Sequence, residues 1–239
     1  MKPYNEEQTK KEQVEQMFDN IAPTYDRLNH ILSFNIDRMW RRRVMRIVRR
    51  SHAQKIMDIA TGTGDLAIAM AKRVDRTQIL GIDLSEEMLR IAQQKIQKQG
   101  LEERIMLEKG DAENLHMVAN ESIDAVTVAF GVRNFENIEQ GLSELYRTLK
   151  PGGKLVVLEF STPRNRLVRW VYNQYSHRLL PRIGAMVSKD RKAYDYLPES
   201  VDEFPSPERF VEILRGVGFN GVIAKPQSFG IAHIYQATK

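Results

Sequence analysis

The chain has no cysteine among its 239 residues. Disulfides, thiolate metal sites and a cysteine nucleophile are therefore excluded. It also lacks any apolar run near the roughly 18–20 residues that a membrane-spanning helix needs. The first fifteen residues are polar and charged, unlike a secretory leader, so a cytoplasmic location is expected. Glycine and proline are modest, at 14 and 9, and no Gly/Ser linker, low-complexity tract or internal repeat breaks the chain. The five histidines, His30, His52, His116, His177 and His233, are scattered, and none has metal-ligand spacing. No metal is expected.

What is present suits one sizeable core: 42% hydrophobic residues and a net charge of +5 that favours acidic partners without identifying one. The middle of the chain alternates strand-like and helix-like stretches. Apolar runs at 56–60, 78–83, 105–109, 125–130 and 154–159 read as strands. Between them, 66–72, 86–99 and 138–149 carry helical spacing. Ser85 is a good N-cap for the second of these helices, Gly100 ends it, and Pro151-Gly152-Gly153 stops the third. This alternation predicts a parallel sheet with helices on both faces. Ser206-Pro207 opens a helix that runs to about residue 217. Strands at 221–225 and 232–237 follow, joined by 226-PQSFG-230, too short for a helical crossover. They should pair antiparallel. Residues 1–50 read as a helical extension or lid, residues 51–239 as the main domain, and 162–200 as an insertion within it.

The stretch 58-DIATGTGDLA-67 places two glycines in a loop between the first strand and a helix. Such a loop lets the backbone approach a ligand closely, and the helix start offers free N–H groups to a pyrophosphate or a carboxylate. Asp83 ends the next strand 19 residues after Gly64, where an acid can accept from both hydroxyls of a ribose. Together they indicate an adenosine-containing cofactor. Two further stretches choose among such cofactors. In 110-GDAENL-115, Asp111 can accept from an adenine amine, and 149-LKPGGKL-155 turns into the next strand. In this order the set resembles the class I S-adenosylmethionine-dependent methyltransferases. That resemblance implies an α/β, Rossmann-like sheet of seven strands, mostly parallel with an antiparallel C-terminal pair.

Four stretches outside those motifs narrow the resemblance: 18-FDNIAPTYDRLNHILSF-34, 130-FGVRNF-135, 157-VLEFSTP-163 and 194-YDYLPESVDEFP-205. With them the chain is similar, from about residue 14 to its end, to the quinone-biosynthesis C-methyltransferases. These act on the ring of demethylmenaquinol or of a ubiquinone precursor. Asn35 departs from the glycine usual there, and Ala129 from the serine of some relatives. The resemblance implies cofactor contacts from Asp58, Thr61, Gly62, Thr63, Gly64, Asp83, Leu84, Asp111, Ala112 and Ala129. It implies substrate contacts from Asn29, Phe130 and Asn134.

On chemical grounds a methyl sulfonium is already an activated electrophile. The protein must align a ring carbon with it and raise that carbon's electron density. Arg133, after the fourth strand, can steer an anionic oxygen. Asp26 or an activated water is the expected base, and Tyr25 is expected to close over the cofactor. A polyprenyl quinol implies contact with the inner face of a membrane. Two segments could supply it: 38–50, with seven arginines and Trp40, Val44, Ile47 and Val48 near one helical face, and 164–182, with Trp170, Tyr172, Tyr175, Leu179 and Leu180. A homodimer is also expected, and no nucleic-acid partner. Three rival readings remain at this point: an RNA methyltransferase, a nicotinamide oxidoreductase using GTGDLA as its fingerprint, and a noncatalytic cofactor-binding scaffold.

Overall fold

The computed structural model describes residues 2–4, 7–74, 76–175 and 191–239, with the backbone alone at 32, 191 and 194. The expectations placed on His177, Leu179 and Leu180 fall outside these residues. Seven strands form one sheet. They are β1 (Lys55–Ile59), β2 (Gln78–Asp83), β3 (Ile105–Lys109), β4 (Ile123–Ala129), β5 (Leu149–Phe160), β6 (Asn220–Gln227) and β7 (Ala232–Thr238), in the order β3-β2-β1-β4-β5-β7-β6. β7 runs antiparallel to both β5 and β6, as expected from the short link between the last two strands.

One boundary differs from the sequence reading. β5 begins at Leu149, so Pro151-Gly152-Gly153 lies inside a strand and not before it. The reason is a remote partner. The Gly152 N–H donates to the Lys239 carbonyl, and the Lys239 N–H donates to Gly153. A turn sequence becomes strand once its backbone groups are paired there.

The helices follow their caps. Thr9 and Glu12 form a capping box before α1 (Lys10–Leu32), and Ser85 accepts from the Met88 N–H before α4 (Glu86–Lys98). Asn35 joins α1 to α2 (Ile36–Arg50) at φ +59, a left-handed conformation that asparagine tolerates better than most residues. α2, α3 (Asp65–Ala71) and part of α4 cover one face of the sheet, through Trp40, Val44, Val48, Leu66, Met70 and Ile96. α5 (Ile138–Thr148) and α8 (Pro207–Val217) cover the other, through Leu142, Leu145, Phe210 and Leu214. Between α5 and α8 lie α6 (Arg166–Gln174) and α7 (Arg191–Glu203).

A third apolar cluster forms a roof. Val14, Met17, Ile21 and Leu28 of α1 meet Met88 of α4 and Ala193 and Tyr196 of α7. The expected 1–50 extension therefore divides. α1 is roof, while the apolar face of α2 is core. That burial removes Trp40, Val44 and Val48 from the apolar face expected to be interfacial in 38–50, because they are already covered, while Arg38, Met39 and Arg42 stay exposed.

Candidate functional site

The carboxyl ends of the central strands carry the site, where ligands of open α/β sheets bind. After β1 the chain turns through Gly62 at φ +57, with room beside its Cα, and enters α3 from Gly64 at φ +77. After β4, Gly131 is forced by a close approach. A Cβ there would sit 2.4 Å from the Ala60 Cβ. The two loops thus meet closely, the Gly131 backbone against the Ala60 methyl group.

A narrow cleft of about 70 Å³ opens between them. Of the residues expected to hold the cofactor, Gly62, Asp83, Leu84, Asp111, Ala112 and Ala129 line it, with Tyr25, Phe130 and Asn134. The Asp83 carboxylate accepts from the Gly62 N–H at 2.7 Å and the Ser85 N–H at 2.9 Å. Burial pushes its pKa up to about 6, and those backbone donors oppose the rise.

Four expected contacts stand elsewhere. Asp58 is wholly buried behind the loop and accepts from Thr61 Oγ1 at 2.7 Å and Thr127 Oγ1 at 2.5 Å. Burial pushes it, too, up to about 6. It braces the loop and does not line the cleft, because β1 and β4 pair Asp58 with Thr127 in register. Thr61 is that brace's partner. Gly64 packs against Ala92 of α4. Thr63 donates to Asp26 Oδ1 at 2.5 Å. Asp26, expected as a base, is engaged on both oxygens here. Its other oxygen pairs with Lys95 at 2.9 Å, and it lines neither cleft nor cavity.

Beside the cleft lies a larger cavity of about 560 Å³, lined chiefly by apolar and aromatic side chains of α1, α2, α6 and α7. Phe18, Tyr25 and Phe130 line both spaces and separate them. Phe130 holds φ +62 at the end of β4 and stacks on Phe160 at 4.5 Å between ring centroids. A non-glycine residue in that region is a strain that functional sites retain.

Arg133 is in the cavity wall, with Asn29. Its Nη1 donates to Glu159 Oε1 at 2.8 Å and to the Phe130 carbonyl at 2.5 Å. Its Nε is buried without a hydrogen-bond partner. Burial pulls the guanidinium's pKa down, but the Glu159 charge and the nearby tyrosines raise it overall, so it stays charged. Asn134 faces the cleft and accepts from Tyr196, a cavity residue, at 3.3 Å. Burial lifts Tyr172 and Tyr196 to about 12, so both keep their protons at neutral pH.

Sequence reasoning missed several residues here. Glu159 stands inside 157-VLEFSTP-163, and an acid within so apolar a strand signals a buried partner. Arg41 also lines the cavity, 5.4 Å from the Phe130 ring centroid. It sits four positions after Asp37 on the buried side of α2, hidden among its neighbouring arginines. Lys10 donates to the Arg133 and Phe135 carbonyls, and Lys11 pairs with Asp111 at 2.6 Å. No motif points to either lysine. Among the described residues no group of His, Asp and Glu is arranged to hold a metal ion.

The sheet order, the loop after β1 and the acids at the ends of β2 and β3 define a class I S-adenosylmethionine-dependent methyltransferase. A solved S-adenosylmethionine-dependent methyltransferase from Aquifex aeolicus shares the fold, with a TM-score of 0.57 and 19% identity over 77% of this chain and 81% of that one. The particular family follows from sequence: the profile of the ubiE/COQ5 methyltransferase family matches residues 6–239, and the chain belongs to that family. The demethylmenaquinone methyltransferase of Bacteroides fragilis is 46% identical over 100% of this chain and 97% of its own length. The ubiquinone/menaquinone biosynthesis C-methyltransferase UbiE of Geobacter sulfurreducens is 44% identical over 96% and 90%. The protein is a methyltransferase with S-adenosylmethionine as cofactor, which sets the nicotinamide reading aside.

Proposed function

We propose that the protein methylates a ring carbon of a polyprenylated quinol, demethylmenaquinol first among them, at a membrane surface. The observation that carries this is the aromatic-walled cavity of about 560 Å³, set against the cofactor cleft and containing one buried, charged arginine. A cavity of that size and character takes a fused aromatic ring with the first part of an apolar tail. It does not suit RNA, whose phosphates need several free cations.

The cleft residues fit the cofactor's parts. Asp83 offers a carboxylate to ribose hydroxyls, Asp111 to an adenine amine, and Gly62 a close backbone. When bound, S-adenosylmethionine supplies an electrophilic methyl group. Tyr25, Phe18 and Phe130 separate that group from bulk water and hold the ring against it. Arg133 stabilises the negative charge that grows on a phenolic oxygen as its proton leaves, and that charge makes the adjacent ring carbon nucleophilic. With Asp26 turned to Lys95, a water beside Arg133 is the proton acceptor in this account. A cleft of about 70 Å³ is well below the 300 Å³ or so of a small-molecule site. α1 supplies Lys11, Val14, Phe18 and Tyr25 to the cleft wall, and in this account it lifts as a lid to admit the cofactor.

Turnover with two chemically reduced, short-tailed acceptors tests the proposal. A demethylmenaquinol should gain one methyl group by mass, and the oxidised quinone should gain none. Methylation of a benzoquinol precursor as well would extend the substrate range. Failure of every quinol, with cofactor binding intact, would end the proposal.

A further inference from the structure

Most of the large hydrophobic side chains left exposed among the described residues gather in one place. Phe34, Ile36 and Met39 lie where α1 turns into α2, Leu167, Trp170 and Val171 lie on α6, and Phe229 tips the turn between β6 and β7. Phe34, Ile36, Leu167 and Val171 also line the cavity, as does Ser228 beside Phe229. The patch is therefore the rim of the cavity mouth.

Two features of this rim serve no packing purpose. α6 carries an apolar stripe, yet none of its residues is buried, and Trp170 is 62% exposed. Phe229 is 85% exposed and holds φ +60 and ψ 23, a conformation that disfavours phenylalanine. An aromatic ring presented to solvent from strained backbone is retained for a contact outside the fold. The exposed charges on the two helices that carry the rim, α2 and α6, have one sign. Arg38 and Arg42 are exposed beside the rim on α2, whose single acid, Asp37, is buried; Arg166 and Arg169 are exposed on α6, which has no acid.

We propose that this rim docks onto the surface of an anionic lipid bilayer, with Trp170 and Phe229 at the headgroup level and the arginines over lipid phosphates. An apolar contact joined to a basic patch gives the two signals that peripheral binding needs. Tryptophan is favoured at that depth because its ring is apolar and its N–H is wet. A second copy of the chain fits less well, since a two-fold contact would face arginines with arginines. The inference rests on the quinol reading of the cavity in one respect. A mouth pressed to the bilayer lets a ring enter while its tail stays in lipid.

The test uses the full chain with vesicles of phosphatidylcholine alone and of an equal phosphatidylcholine–phosphatidylglycerol mixture. The chain is expected to co-sediment with the anionic vesicles and weakly with the neutral ones. A Trp170→Glu/Phe229→Glu variant should partition about tenfold less. It should keep its turnover of a short-tailed acceptor in solution and lose turnover of a long-tailed acceptor held in vesicles. Because the chain has two tryptophans and Trp40 is buried, Trp40→Phe isolates Trp170, whose emission should shift to the blue on anionic vesicles. The proposal is overturned if the chain ignores both vesicles, or if the double variant binds as well as the parent. It is equally overturned if self-association without lipid shields Trp170 from a quencher. Sedimentation without methylation of any quinol would leave the docking face standing and remove the quinol reading.

Discussion

Arg133 meets the cavity with its charge matched by Glu159, which is 0% exposed, and that pairing sets what each substitution does. Arg133→Ala removes the group proposed to steady a phenolate and leaves a buried carboxylate unpaired. kcat should fall about 10²–10³-fold, with stability lower by about 3–5 kcal/mol and cofactor affinity within about twofold. A collapse of cofactor binding at unchanged kcat would contradict the assigned role. Glu159→Gln should preserve the shape but leave the guanidinium unneutralised. The acid limb of the kcat profile should then move to lower pH, because the freer positive charge eases loss of the phenolic proton. Asp58 gives a prediction on stability. Its folded pKa is raised from 3.8 to about 6, chiefly by burial. The folded state therefore holds that proton more tightly, and the stability it confers at low pH is lost as pH rises through about 6. Asp58→Asn removes this loss. Relative to the parent it should gain about 2 kcal/mol between pH 4 and pH 8 in denaturant unfolding. A pH-independent difference would contradict the assignment. Asp58 also marks a limit of sequence reading at this scale. The DIATGTGD motif gives the residue types of a cofactor loop. Which carboxylate faces the ligand and which braces the loop is decided by strand register with Thr127, which lies 69 positions away.

α1 carries two stripes. Its apolar residues Val14, Met17, Ile21 and Leu28 build the roof, while Lys11, Glu15, Asp19, Asp26 and His30 recur at near-helical spacing along a polar one. Each of these polar residues meets a different partner beneath the helix: Lys11 pairs with Asp111, Glu15 with Lys109, Asp19 with Ser85, Asp26 with Lys95 and His30 with Asp65. A helix held by several partly exposed polar contacts can open, as the proposed lid role requires, since each contributes little on its own. Lys11→Ala/Asp19→Ala should speed release of the demethylated cofactor in stopped-flow measurements by severalfold, and unchanged release would argue against α1 as the gate. Gly131→Ala tests the opposite property, rigidity. A methyl group 2.4 Å from the Ala60 Cβ forces the two loops apart. Thermal unfolding should show a loss of about 1–3 kcal/mol together with weakened cofactor binding. Most elements could be read from their periods and caps, and Ser85, Gly100 and Ser206-Pro207 stand where their chemistry places them. The inclusion of Pro151-Gly152-Gly153 in β5 could not, because Gly152 and Gly153 are paired with the remote Lys239. Nor could the polar stripe of α1, which looks like an ordinary solvated face until its partners are folded beneath it.

At the scale of the molecule, the fold class was written in the alternation of strands and helices and in the short link between the last two strands. The cofactor half of the site was legible for the same reason: Gly62, Asp83 and Asp111 fall at successive strand ends of one sheet. The acceptor half was not. Its cavity is assembled from α1, α2, α6 and α7, which are far apart in sequence and meet only above the finished sheet. Motif residues Tyr25, Asn29 and Arg133 mark the cavity, but its apolar volume belongs to no motif. The account therefore stands on what enters that cavity and where the methyl group goes. The most direct measurement supplies S-adenosylmethionine carrying a ¹³C methyl group with reduced, short-tailed demethylmenaquinol, and locates the label by NMR. The predicted result is a methyl carbon bonded to the ring carbon beside the phenolic hydroxyl. A methyl ether on oxygen, or no label in the quinol while the cofactor binds, would contradict the account.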